Sequence, residues 1–235
     1  MTLTIIPIEG VGELQRGDEL AVLLADAAST QGTPLVDDDC LVVTQKVVSK
    51  VEGRLVALDP DDREARRALV DAESVRVLRR RGDLIISETR HGFVCANAGI
   101  DLSNVETGWA ALLPVDADRS ARHVRDALAA RAGVDVAVIV SDTFGRAWRL
   151  GLTDVAIGVA GLAAVVDLRG ERDGLGHELV VTEVALADEV AGAAELVMGK
   201  ARRVPAAIVR GLDPSWRRES SVRELVRAPG EDLFR

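Results

Sequence analysis

The sequence predicts an α+β protein of irregular α/β order. Two short, continuous apolar runs, Leu41, Val42, Val43 and Thr44 and then residues 134–140, have the character of buried strands. Leu20, Leu23, Leu24 and Ala27 recur at helical spacing behind Gly17, Asp18 and Glu19, which open a helix. The two patterns mix without strict strand–helix–strand alternation, which disfavours a doubly wound sheet.

In chain order, residues 3–8 alternate and are β-branched, so a strand is expected to end at Glu9 and Gly10. Asp37, Asp38 and Asp39 form the turn before the first buried run. The heavily charged stretch 59–81, with Leu69, Val70, Val75 and Leu78 as a stripe, predicts one long solvated helix. Leu84, Ile85 and Ile86 face Phe93 and Val94 as two arms of a hairpin around residues 89–92. Residues 120–131 read as a helix capped by Ser120. The strand 134–140 empties into Ser141, Asp142 and Thr143. Residues 155–166, rich in Ala and Gly, predict a close-packed helix; 178–183 a strand; 185–199 a helix; 204–209 a strand; and 213–235 an irregular charged tail.

Composition excludes several functions. The chain has 235 residues, with 29 Lys and Arg against 38 Asp and Glu, a formal charge of −9 that argues against a nucleic-acid surface. Aromatic residues are 3% and Tyr is absent, which removes stacking platforms for single strands. The uncharged stretch 155–166 is too short to span a bilayer, and the first twelve residues lack the flank and apolar block of a secretory signal. Cys40 and Cys95 make no disulfide framework, so a reducing compartment, the cytoplasm, is expected. His91, His123 and His177 lack zinc spacing, and neither a phosphate-binding Walker loop nor a nucleophile elbow is present.

Four constellations carry possible chemistry. Residues 91–104 crowd Asn97, Gly99, Ser103 and Asn104 around one acid, Asp101, an arrangement suited to a nucleotide or a metal-bound phosphate; an ordinary Asn/Asp/Ser turn accounts for the same residues. Asp142 and Thr143 set a carboxylate beside a hydroxyl, which suits a hard divalent cation, and Arg146 and Arg149 follow with forks for phosphate oxygens; in isolation a capping pair with solvated arginines is the more common reading. Taken together, Asp101 and Asp142 can share magnesium with substrate phosphates. Glu183, at a strand-to-helix boundary, offers a further metal oxygen, whereas Asp188 and Glu189 are ordinary partners of a helix dipole. Lys50, and the corner of Gly199, Lys200, Arg202 and Arg203, are candidate phosphate contacts or plain surface cations.

Residues 91–105 followed by Ser141, Asp142, Thr143, Phe144, Gly145 and Arg146, with 44–54 and 178–189, resemble the coenzyme F420-0:L-glutamate ligase family across 6–234. The resemblance implies one ligase domain over the whole chain, an unusual α+β fold and an interlocked homodimer. It also implies joining of L-glutamate to the carboxylate of F420-0, a phosphorylated deazaflavin, as GTP becomes GDP and phosphate. Phosphoryl transfer needs positioning and charge neutralisation more than a protein nucleophile, in keeping with the missing triad. By the same resemblance Asp101 and Asp142 hold a first magnesium or manganese ion, and Thr143, extended here to Glu183, a second. Potassium is the implied activator, and Arg146 joins Asp101 and Asp142 as a catalytic group. The nucleotide contacts fall on Val11, Gly12, Glu13, Leu14, Gln45, Lys50 and Asn104, although Gln45 stands where relatives often carry a small polar residue. Some relatives continue into a flavin-binding domain; any FMN-dependent step is expected of another protein. A silent nucleotide-binding regulator, or a ligase for another acid and amine, are the rival expectations.

Overall fold

The computed structural model describes residues 2–232. Its elements are β1 (Thr4–Ile8), α1 (Leu20–Thr30), β2 (Cys40–Thr44), α2 (Gln45–Val51), β3 (Leu55–Ala57) and α3 (Arg63–Glu73). Then come β4 (Ser74–Arg81), β5 (Leu84–Thr89), β6 (Val94–Ala96), β7 (Trp109–Ala111) and α4 (Ala117–Ala132). The last are β8 (Ala137–Arg146), β9 (Arg149–Ala160), β10 (Val166–Asp167), β11 (Glu183–Val184), α5 (Leu186–Met198) and β12 (Ala206–Arg210).

The predicted mixed α+β class holds. The main sheet runs β1-β12-β2-β8-β9, and within it only β2 and β8 are parallel. Its strands are apolar on both faces because both are covered. Leu41 and Val43 pack with Leu24 of α1 and Leu128 of α4, whereas Cys40 and Val42 pack with Val190 and Ala194 of α5. A smaller sheet, β4-β5-β6, lies beside it, with the predicted hairpin joining β5 to β6. Asp118 of α4 ties the layers together, accepting from the N–H groups of Val159 (2.8 Å) and Val222 (3.1 Å) and from the Ser221 hydroxyl (2.6 Å). Among the described residues no helix is long and apolar enough to cross a membrane.

Several local expectations are corrected. The long helix over 59–81 breaks at Ser74, whose hydroxyl bonds Val70 O and Ser87 Oγ. Beyond it the chain is strand β4, because Val75 and Val77 alternate with arginines at period two, and Arg76 meets Glu88 of β5 at 2.9 Å. Residues 155–166 hold no helix. Val155, Ile157 and Val159 are β-branched and sit in β9. The small residues serve close approach instead: a Cβ on Gly158 would lie 2.3 Å from the backbone of Ala117. Asp116, not Ser120, caps α4, accepting from Arg119 N at 2.9 Å. The strand expected over 178–183 shrinks to β11, and 168–182 folds back on itself through bonds such as Gly170 N to Leu179 O. Short 3-10 turns interrupt the tail, whose last residues lie outside the described ones.

Candidate active site

The parallel β2 stops at Thr44, which pairs with Ser141, while β8 runs on to Arg146. Ligands in such sheets sit beyond the carboxyl ends of strands, and the candidate site occupies that place. Asp142 and Thr143 therefore stand inside a strand, past a register shift at Val140 and Ser141, rather than at a strand end or a helix cap. Two chain segments close over this exposed edge. One is α2, starting directly at Gln45; the other is the turn carrying Asp101, held by reciprocal backbone bonds to Ala111 at the end of β7.

Asp101 and Asp142 come together here, with Lys46 between them in charge. Lys46 Nζ lies 3.0 Å from Asp101 Oδ2 and donates to Ser103 Oγ at 2.8 Å. Burial works against ionisation of Asp101, but the Ser103 N–H and Lys46 outweigh it and hold this carboxyl below its ordinary range. Asp142 is the opposite case. Burial pushes it up to about 7, and the neighbouring charges of Asp101 and Asp154 add to the rise against the Thr143 N–H and Lys46. A carboxylate so placed lacks enough positive charge around it.

Asp154 is the site residue that sequence reading missed. It is buried opposite Thr143 in the β8–β9 register and accepts from Thr143 Oγ1 (2.6 Å) and Ser141 Oγ (2.9 Å). Only that register could have flagged it, and the expected helix over 155–166 hid the register. Gln45 is buried as well: its amide donates to Ser49 Oγ (2.7 Å) and Leu112 O (2.8 Å), which leaves Oε1 without a partner. Thr44, Gln45, Asp142, Thr143 and Asp154 line one small recess. Carboxylates, a hydroxyl and an amide oxygen are all hard donors, a set that suits magnesium or manganese. Among the described residues no three acidic, His or Cys side chains group as a ready cage.

Beside the recess opens a cavity of about 650 Å³ lined by Val11, Gly12, Glu13, Leu14, Lys50 and Asn104. The structure thus brings together six of the seven expected nucleotide contacts, with Gln45 in the adjoining recess. Lys46, Lys200 and Arg203 add positive charge to its walls, Lys50 pairs with Glu13, and Asn104 Nδ2 donates to Lys200 O at 3.1 Å. Two expected residues are not gathered in. Glu183 sits in β11, 3.4 Å from Arg169, and Arg146 ends β8 bonded to Leu150 O across the hairpin; neither lines these cavities. Cys40 and Cys95 are buried, and burial raises each thiol to about 12, so both stay protonated and inert.

The profile of the F420-0:Gamma-glutamyl ligase family matches residues 10–211. The chain belongs to the F420-0:gamma-glutamyl ligase family. It is 44% identical to a coenzyme F420:L-glutamate ligase of Methanothermobacter thermautotrophicus, with all of both chains covered. It is 43% identical to the protein of that name from Methanopyrus kandleri and 37% identical to that from Archaeoglobus fulgidus, covering all of this chain and 98% and 97% of theirs. In F420-0:gamma-glutamyl ligase terms, the acidic centre and the adjoining cavity are the parts of this member that its sequence motifs build.

Proposed function

We propose that this protein is a GTP-dependent ligase that forms an amide between the carboxylate of F420-0 and the amino group of L-glutamate, releasing GDP and phosphate. The observation that carries the reading is that Asp142 and Lys46 line a recess, with Asp101 paired to Lys46 beside it, and that this recess shares its wall with a cavity of nucleotide size.

A carboxylate is a poor acyl donor, so it must first gain a leaving group. With both thiols held protonated, the chain offers no activated cysteine, and direct attack of the substrate carboxylate on the γ-phosphate is the economical route. The glutamate amine then attacks the acyl carbon, the C–O bond to phosphate breaks, and phosphate leaves as the amide forms. Lys50 and Lys200 bind triphosphate oxygens, Lys46 sets Asp101, and Asp154 fixes the Thr143 hydroxyl. Asp101, Asp142 and Thr143 would hold magnesium or manganese, which when bound would supply charge neutralisation for phosphoryl transfer, with potassium as activator. We place the reaction in the cytoplasm and the enzyme in a homodimer. Leu150, Leu175 and Val181 are 98%, 85% and 84% exposed in the single chain, apolar surface that a second copy would cover.

The test uses F420-0 labelled with ¹⁸O in its carboxylate. One ¹⁸O per turnover should appear in the released phosphate. Unlabelled phosphate alongside the amide would remove the acyl phosphate.

A further inference from the structure

We infer that a second cavity, lined by Phe93 and Phe144, holds the planar aromatic ring of the acid substrate. This rests on the proposed ligase reading and adds a binding site to it. The cavity measures about 880 Å³, within the range of small-molecule pockets.

Its position follows from strand alternation. Asp142 and Phe144 project from the same face of β8, and Val155, the cross-strand partner of Asp142, lines the cavity. Phe93 of the β5–β6 hairpin covers Phe144 edge-on, with ring centroids 6.1 Å apart. Cys95, two residues along from Phe93, is close enough to feel the charge of Asp142. A molecule seated on these rings therefore lies on the Asp142 face of β8.

Its chemistry is that of a site for a flat anion. Phe93, Phe144 and Trp148 supply aromatic faces, and Arg76, Arg79 and Arg227 supply guanidinium groups that stack on rings and meet anionic tails. Asp188, which accepts the Ala156 N–H at 2.9 Å, and Asp232 also line it, and Arg76 is paired with Glu88, so contact with an anionic tail falls to Arg79 and Arg227. Trp148 has φ of 58°, a left-handed conformation that is a true outlier for a bulky side chain, at the tip of the β8–β9 hairpin.

The test compares wild type with Arg79→Glu and Trp148→Ala, with steady-state kinetics, F420-0 fluorescence titration and light scattering. The KM for F420-0 should rise about tenfold or more in each variant, while the KM for GTP keeps its wild-type value. An unchanged KM for F420-0 overturns the assignment. So does a change of molecular mass in the variants that accounts for any lost activity, since the face would then belong to a second copy. If wild type makes no amide, the ligase reading fails by itself. The titration still judges the cavity: binding lost in the variants sustains it, and binding equal in all three, or absent from wild type, ends it.

Discussion

Lys46 Nζ lies 3.0 Å from Asp101 Oδ2, so a residue of α2, two past the end of β2, fixes the charge of a residue from the turn before β7. Asp101 is thereby kept ionised, and its charge raises the cost of ionising Asp142 beside it. The centre is thus one neutralised carboxylate next to one that still wants positive charge.

Asp142→Asn tests that imbalance. A carboxyl whose folded value is about 7, above the ordinary value of about 4, binds its proton more tightly in the folded protein. The folded state therefore loses stability as pH rises from about 4 through about 7. At pH 8 the variant should melt at or above the wild-type temperature, while glutamate-dependent phosphate release falls about a thousandfold. A variant that melts lower and keeps its activity would make Asp142 a structural residue.

Asp154→Ala should do the reverse to stability. It strips the buried Ser141 hydroxyl and the half-buried Thr143 hydroxyl of their acceptor. Urea unfolding should show a loss of about 2–3 kcal/mol, with turnover reduced as Thr143 loses its orientation. A loss under about 0.5 kcal/mol would mean that the pair of bonds contributes nothing net.

Gly158→Ala probes the helix that sequence pattern placed wrongly. Its new methyl would meet Ala117 backbone at 2.3 Å, so α4 must move off β9. Thermal unfolding should show a loss of about 3 kcal/mol, where an alanine in a true helix would have stabilised. Neutral behaviour would contradict the close approach of α4 to the sheet.

His91 predicts a pH effect. Its Nε2 contacts Pro114 O at 2.9 Å, its ring stacks on Phe93 at 5.6 Å, and Nδ1 is buried without a partner. Burial lowers its pKa, and Arg90 lowers it further, against the carbonyls of Pro114 and Val115 and the charge of Glu73. The unfolded chain therefore takes the proton first as pH falls through about 6.5, and stability is lost below that point. His91→Gln should flatten this part of the stability curve in urea titrations from pH 5 to 8. The same slope in both proteins would assign it to other groups.

The buried strands were legible because apolar runs such as Leu41, Val42 and Val43 have one economical place, a sheet covered on both faces. Asp101 and Asp142 were legible because acids stand out among small residues. What the sequence hid was hidden by specific competitors. The arginines of β4 masked its period-two pattern as a charged helix, and the Ala and Gly of β9 mimicked helix composition while serving the contact with Ala117. Asp154 gains its role through the cross-strand pairing with Thr143, and Lys46 through an ion pair from α2 to Asp101, and no local pattern encodes either.

The most direct measurement is the mass of the deazaflavin product after incubation of F420-0 with GTP, L-glutamate and manganese, for wild type and Asp142→Asn in parallel. Wild type should add a glutamyl residue with one phosphate released per amide, and the variant should return F420-0 unchanged. An unaltered mass with wild type, or equal conversion by the variant, would contradict the account.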